Sequence, residues 1–427
     1  MHVVIIDRWI GFPNGMATTQ RIKLIGQALV EQGARVTVLI AGPSERPNNI
    51  VNQDAAGEYK GVQFEYLPNT TVRSDSFLQR RLHDFLAHIL TFRRIIRLRR
   101  QGEDACIYLW YRFYKPHFFD RMVLAIAKVL GVPVVLEVNE RPWPLIDNKP
   151  LLSRITSPLF GASGAIAISD YLADWINAEA KRRGQDISVA TIPILVDMDE
   201  FKANAEDETE KQVVFAGSAA YASTIEFILD AMAHVWEEHP DCNLVITGFQ
   251  GARSGDCWLE KELAARAVQD KVHLTGYLPR LDLLELYGKS SALLIPLFSD
   301  VVSISRFPTK IGEYLTSGRP IITNKVGSVP SYFTDGVNAY IAEPGDPSAF
   351  GHKVLEALND KEQSKRIGLS GRETAEKNFT LEHHKESLFK YFTQISRPST
   401  MKASLPDAKP NPNMSRRWEI HNCNKRK

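Results

Sequence analysis

The sequence predicts an α/β protein built from two doubly wound domains, and three observations predict it. Short apolar runs alternate with helix-period patterns from the first residues onward, the rhythm of parallel strands covered by helices on both faces. The 427 residues accommodate two domains of roughly 150–200 residues, each with its own core. The charged stretch Ala203 to Gln212 (ANAEDETEKQ) interrupts the alternation and reads as the boundary between them. Residues 1–202 then form the first domain and 212–378 the second, followed by a helix over 379–395. From Ser396 the chain is proline-rich and polar, ending Asn424-Lys425-Arg426-Lys427, and reads as a disordered tail.

Composition excludes several classes. With 44% hydrophobic and 24% charged residues the chain is an ordinary globular one. A net charge of +2 gives no ground for a nucleic-acid partner. Cys106, Cys242, Cys257 and Cys423 are scattered, without metal-ligand or disulfide-framework spacing, so a reducing cytoplasm is expected. Met1 to Asp7 opens as a strand rather than a leader peptide. No run of about 18 apolar residues is available to span a bilayer.

In the first half, Val3–Ile6 and Val36–Ile40 read as strands. Between them runs the loop from Gly11 through Gly15 and Met16, then a helix with Ile22, Ile25 and Leu29 on one face and Gly33 at its stop. The loop lacks the GxGxxG pattern, which disfavours a dinucleotide. Gly15 lets backbone approach a ligand closely. Leu82, Phe85, Ile89, Phe92 and Ile96 recur at helical spacing, with Arg93, Arg94, Arg97, Arg99 and Arg100 at the end. This reads either as a helix for an anionic membrane surface or as a core-facing helix with solvated arginines. Strand exits carry ligands in doubly wound sheets, so Tyr111 and Arg112, after Ile107–Trp110, and Glu137 and Asn139, in Val134–Glu140, are cleft candidates. Asp197-Met198-Asp199 spells a two-letter acidic motif after a hinge strand, too little to predict a metal.

In the second half, Val213–Ala216 runs into Gly217-Ser218, and Leu244–Thr247 into Gly248. His273–Gly276 is followed by Tyr277, whose ring can stack on a base. The chemically richest stretch is Ser303 to Pro330. After the strand Ala292–Ile295 comes a polar loop, and Pro308 stands where a helix begins, its missing N–H costing nothing there. Gly318 stops that helix before the strand Arg319–Thr323. A helix N-terminus at the carboxyl end of a parallel strand suits a phosphate. Lys310 and Glu313 lie on one face of it, and a carboxylate accepts the two hydrogen bonds of a vicinal diol such as ribose.

Glu313-Tyr-Leu-Thr-Ser-Gly-Arg-Pro-Ile-Ile322, Val326-Gly-Ser-Val-Pro330, Asp335-Gly336 and Pro344-Gly-Asp346 together resemble the retaining glycosyltransferases of the GT-B fold, family 4 (glycosyl transferases group 1). The resemblance covers about residues 1–390. It implies two Rossmann-like domains facing across a cleft, with the helix 379–395 crossing back to the first. It also implies a transferase moving a sugar from a nucleotide-diphosphate donor to a glycan, lipid-linked or small-molecule acceptor, with retention and without metal or other cofactor. The pattern departs in two places. The family's first Glu falls at Ser305, and the Arg/Lys pair that clasps the diphosphate is absent from Ser218 to Thr224. Lys310 and Arg306, with the N–H groups near Phe307 to Thr309 around Pro308, are assigned in its stead. Glu313, Ser305, Gly217, Ser218, Gly248 and Tyr277 complete the donor side; Gly15, Met16, Tyr111, Arg112, Glu137 and Asn139 form the acceptor side. The expected location is cytoplasmic, on the inner face of a membrane if the arginine-rich helix binds one. A non-catalytic partner subunit fits the two departures, and a nucleotide-sugar epimerase shares the architecture.

Overall fold

A computed structural model describes residues 1–100, 104–110, 118–140, 159, 161–200, 211–217, 221–248 and 258–397. The first domain runs β1 (His2–Asp7), α1 (Ala17–Glu31), β2 (Arg35–Ile40), β3 (Ala56–Tyr59), β4 (Val62–Tyr66), α2 (Phe77–Arg100), β5 (Ala105–Trp110), α3 (Phe118–Leu130), β6 (Val134–Val138), β7 (Gly164–Ala167), α4 (Asp170–Arg183) and β8 (Ser188–Thr191). Its sheet has the order β3-β4-β2-β1-β5-β6-β7-β8. Every pairing is parallel except β3 with β4. That hairpin was not legible as strand alternation. At its turn Lys60 and Gly61 both take positive φ, the geometry of the tight turns that match strand twist.

The second domain runs β9 (Gln212–Ala216), α5 (Ala222–Glu238), β10 (Asn243–Thr247), α6 (Trp258–Ala265), β11 (Val272–Gly276), α7 (Arg280–Lys289), β12 (Ala292–Ile295), α8 (Val301–Ser305), α9 (Thr309–Thr316), β13 (Ile321–Asn324), α10 (Val329–Tyr332), β14 (Tyr340–Ala342), α11 (Pro347–Asn359) and α12 (Lys361–Asn378). All its strands are parallel, in the order β11-β10-β9-β12-β13-β14. The central strands β9, β10, β12 and β13 are almost wholly buried, as a sheet covered on two sides requires, while the edge strand β11 is largely exposed. A last helix, α13 (Leu381–Ser396), packs on α1 and β5 of the first domain. There Tyr391 donates to the carbonyls of Ala165 and Ser188.

Strand order reverses direction between β1 and β5 in one sheet and between β9 and β12 in the other. In open α/β sheets ligands bind outside the carboxyl ends of the strands at such switch points. The helices α1, beyond β1, and α9, beyond β12, line the space between the domains. The junction is close. Val196 N–H donates to Phe379 carbonyl, and a Cβ on Gly312 would lie 2.4 Å from the Val196 side chain.

Two local details differ from the sequence expectation. The polar loop after β12 contains a helical turn, α8, because Asp300 caps it by accepting from Ser303 N–H. Pro308 takes the cap position and α9 starts at Thr309, since ψ of 124° keeps Pro308 extended.

Candidate active site

A cavity open to solvent lies between the domains, lined by the first turns of α1, the connector at Leu195–Asp197 with Glu200, the start of α7, and α9. Glu313 reaches it from one turn inside α9. Its carboxylate is ion-paired to Arg280 at 3.1 Å, and Arg280 also pairs with Glu200 at 2.7 Å. The guanidinium thus bridges a carboxylate of the second domain and one of the connector. Both carboxylates keep the Arg280 pKa above its ordinary value despite burial.

Lys310 stands one turn before Glu313 and makes no hydrogen bond or ion pair among the described residues. Burial lowers its pKa; Glu313 opposes that shift and Arg280 adds to it. An ammonium held among partial desolvation and a neighbouring cation is poised to gain from an incoming anion. Thr309 lines the same cavity, and Pro308 carbonyl accepts from Ile311 N–H in the first turn. Gly217 and Gly248 end neighbouring strands: Gly217 N–H donates to Thr247 carbonyl at 2.9 Å and Gly248 N–H to Gly276 carbonyl at 2.6 Å. Gly248 has a φ of +82°, so a side chain there would be strained. Tyr277, just after β11 ends at Gly276, is 65% exposed.

On the first-domain side Gly15 and Met16 are exposed just before α1, outside the cavity lining that begins at Ala17. Gly15 is tight for an internal reason. A Cβ there would come within 2.2 Å of Thr19 Oγ1, which donates to Gly11 carbonyl. The loop's own closure, rather than a ligand, fills that space.

Several assigned residues lie elsewhere. Ser305 is 1% exposed; its hydroxyl donates to Val302 carbonyl and its carbonyl accepts from Ser169, so it contacts the first domain rather than the cavity. The Phe307 ring is buried against Tyr332 and Phe379. Arg306 turns across the junction to Glu140 at 2.7 Å, although its Nε is buried without a partner. Glu137 is a core residue: Arg21 Nε donates to it at 2.5 Å, Tyr108 hydroxyl also donates to it, and Arg21 goes on to the carbonyls of Ile192 and Pro193. A buried carboxylate so paired anchors α1 to the sheet. Asn139 also bonds to Glu137, and its Oδ1 is buried without a partner. Tyr111, Arg112 and Ser218 lie outside the described residues.

Arg280, Glu200 and Arg21 were missed. Arg280 had a readable signal. A cation in the first turn of a helix opposes the dipole, so an arginine just after Tyr277 needs a reason. The other two carry none, because only the folded junction brings α1 and the connector to α9.

Two doubly wound domains facing across this cavity are the GT-B fold. Sucrose-phosphate synthase from Thermosynechococcus elongatus superposes with a TM-score of 0.67 at 15% identity, covering 92% of this chain and 98% of that one. Anabaena HepE in complex with UDP gives 0.64 at 14% identity, covering 92% and 100%. Residues 197–374 match the model of Glycosyl transferases group 1. Among curated relatives, the alpha-D-kanosaminyltransferase of Streptomyces kanamyceticus is 22% identical over 57% of this chain and 65% of its own length. The D-inositol 3-phosphate glycosyltransferase of Thermobifida fusca is 22% identical over 58% and 61%. Spore coat protein SA of Bacillus subtilis is 26% identical over 43% and 48%. The aligned stretches thus span about half to two thirds of these relatives' lengths.

Proposed function

We propose that the chain is a retaining glycosyltransferase of family 4 that takes a sugar from a nucleotide-diphosphate donor without a metal ion or cofactor. The observation that carries this is Glu313 at the second sheet's switch point, inside the interdomain cavity, with Arg280 and Lys310 beside it. Glu313 holds the ribose diol. Lys310, Arg280 and the N–H groups opening α9 take the diphosphate, supplying countercharge where Ser218–Thr224 has none. In the free protein Arg280 occupies Glu313. The arriving diphosphate, a stronger anion, draws the guanidinium toward itself and releases the carboxylate for the ribose. Catalysis then rests on positioning and on stabilising the leaving diphosphate, which accepts the acceptor's proton on the face it leaves. The acceptor is a glycan, a lipid-linked saccharide or a small molecule, and we place the enzyme peripherally on the inner face of a membrane.

Thermal unfolding with UDP, GDP, ADP and dTDP, each with and without EDTA, tests this. One nucleotide at about 100 times its Kd should add about 2.7 kcal/mol whether or not EDTA is present. A shift that vanishes with EDTA would overturn metal independence; no shift with any nucleotide favours a non-catalytic relative.

A further inference from the structure

The apolar stripe of α2 points away from the protein. The helix is buried through Ala87, Thr91, Ile95 and Leu98, whereas Leu78, Leu82, Phe85, Ile89 and Phe92 are exposed, Leu78 by 77% and Phe85 by 62%. The two sets recur at helical spacing on opposite faces. Phe118, at the start of α3, adds a ring 76% exposed beside His88 of α2. So large an outward apolar face on a single helix marks an interaction surface.

Charge says what covers it. The 24 residues of α2 hold seven arginines and one carboxylate, Asp84, in a chain whose net charge is only +2. Asp84 is neutralised by Arg8 at 3.0 Å. Arg93, Arg97, Arg99 and Arg100 are exposed along the last two turns. No helix among the described residues is long and apolar enough to cross a membrane.

We infer that the outward face of α2 docks the chain on an anionic lipid surface, its apolar half entering the headgroup boundary and its arginine half meeting phosphates. This deepens the peripheral location proposed above. The helix runs antiparallel to β1. Asp84 meets Arg8 at the carboxyl, cleft end of that strand, while Arg97 and Leu98 share a cavity with His2 at its amino end. The apolar half therefore flanks the cleft mouth, and a docked molecule presents that mouth to the bilayer. On the transferase reading this orientation selects a lipid-anchored acceptor.

Co-sedimentation of the full chain with phosphatidylcholine vesicles, with and without phosphatidylglycerol, is the test. Binding should require the anionic lipid and fall at about 1 M salt, where screening shortens to about 3 Å. Phe85→Ser with Ile89→Ser should cut partitioning on the order of a hundred-fold with an unchanged melting temperature, since both side chains are exposed. Replacing Arg93, Arg97 and Arg100 by Gln should cost about five-fold per arginine. Equal binding to neutral vesicles, or none to either, overturns the proposal. So does a concentration-dependent dimer that the Phe85/Ile89 double variant abolishes, because a second copy would then own the face. Nucleotide-induced stabilisation measured on the same double variant should persist; its absence in both variant and parent, with vesicle binding intact, sinks the transferase reading alone.

Discussion

On the proposed reading the Glu313 carboxylate, held by Arg280 in the free protein, passes to the ribose when donor binds, and that competition is measurable. Glu313→Ala should weaken nucleoside diphosphate binding by about 1.5–3 kcal/mol, the scale of a charged hydrogen bond, in titration calorimetry. Arg280→Ala should weaken the nucleoside diphosphate but leave the plain nucleoside bound as well or better, because the ribose no longer competes with a guanidinium for Glu313. Equal losses for both ligands would show that Arg280 only builds the site. Lys310 gives a pH signature. Its pKa is lowered by burial, so it loses its proton at a lower pH than an exposed lysine. Diphosphate affinity should then fall as pH rises through that depressed value, and Lys310→Arg, which stays charged, should remove the fall. The same shift has a folding consequence of opposite direction: the unfolded chain holds the proton more tightly, so stability rises with pH through that window.

The element that departs most from the resembled pattern is α8. Ser305 stands where the resembled pattern has a carboxylate, yet its burial against Ser169 shows that restoring the acid is not a simple repair. Ser305→Glu should place a carboxylate in a site with 1% exposure and destabilise the protein, without raising nucleotide affinity. A stable variant that binds donor more tightly would refute this placement. In α2 the sequence pattern was read correctly as a stripe, but periodicity does not say which side of a helix the rest of the chain occupies. Ala87, Ile95 and Leu98, less conspicuous than Phe85 or Phe92, face inward because small and branched residues let α2 lie close to the sheet. Glu137 shows the converse. A polar residue at a strand exit looks like a ligand group, and here it is the buried partner of an arginine one hundred and sixteen positions away.

On the scale of the molecule the two domains are tied by α13. Its Phe392, fully buried, meets Tyr108 of the first sheet edge-to-face at 5.5 Å. Phe392→Ala should cost about 3–5 kcal/mol in urea unfolding. Because α13 follows the second domain in sequence and completes the core of the first, tryptophan fluorescence and far-ultraviolet circular dichroism should report one coincident transition rather than two. Separate transitions would mean that the first domain holds its core without that helix.

The central apolar strands, the two-domain organisation and the α9 stretch with Lys310 and Glu313 were legible in the sequence, since apolar runs and the Pro308–Gly318 punctuation are local properties of the chain; the short or polar strands β3, β4, β8 and β14 were not. The tertiary structure alone decided which charges meet. Arg280 reached Glu313, Arg306 went to Glu140, and Arg21 went inward to Glu137, each across a separation over which sequence carries no distance. An ion pair is a short-range outcome of where whole domains come to rest, and so the site's residues were readable one by one while their partners were not.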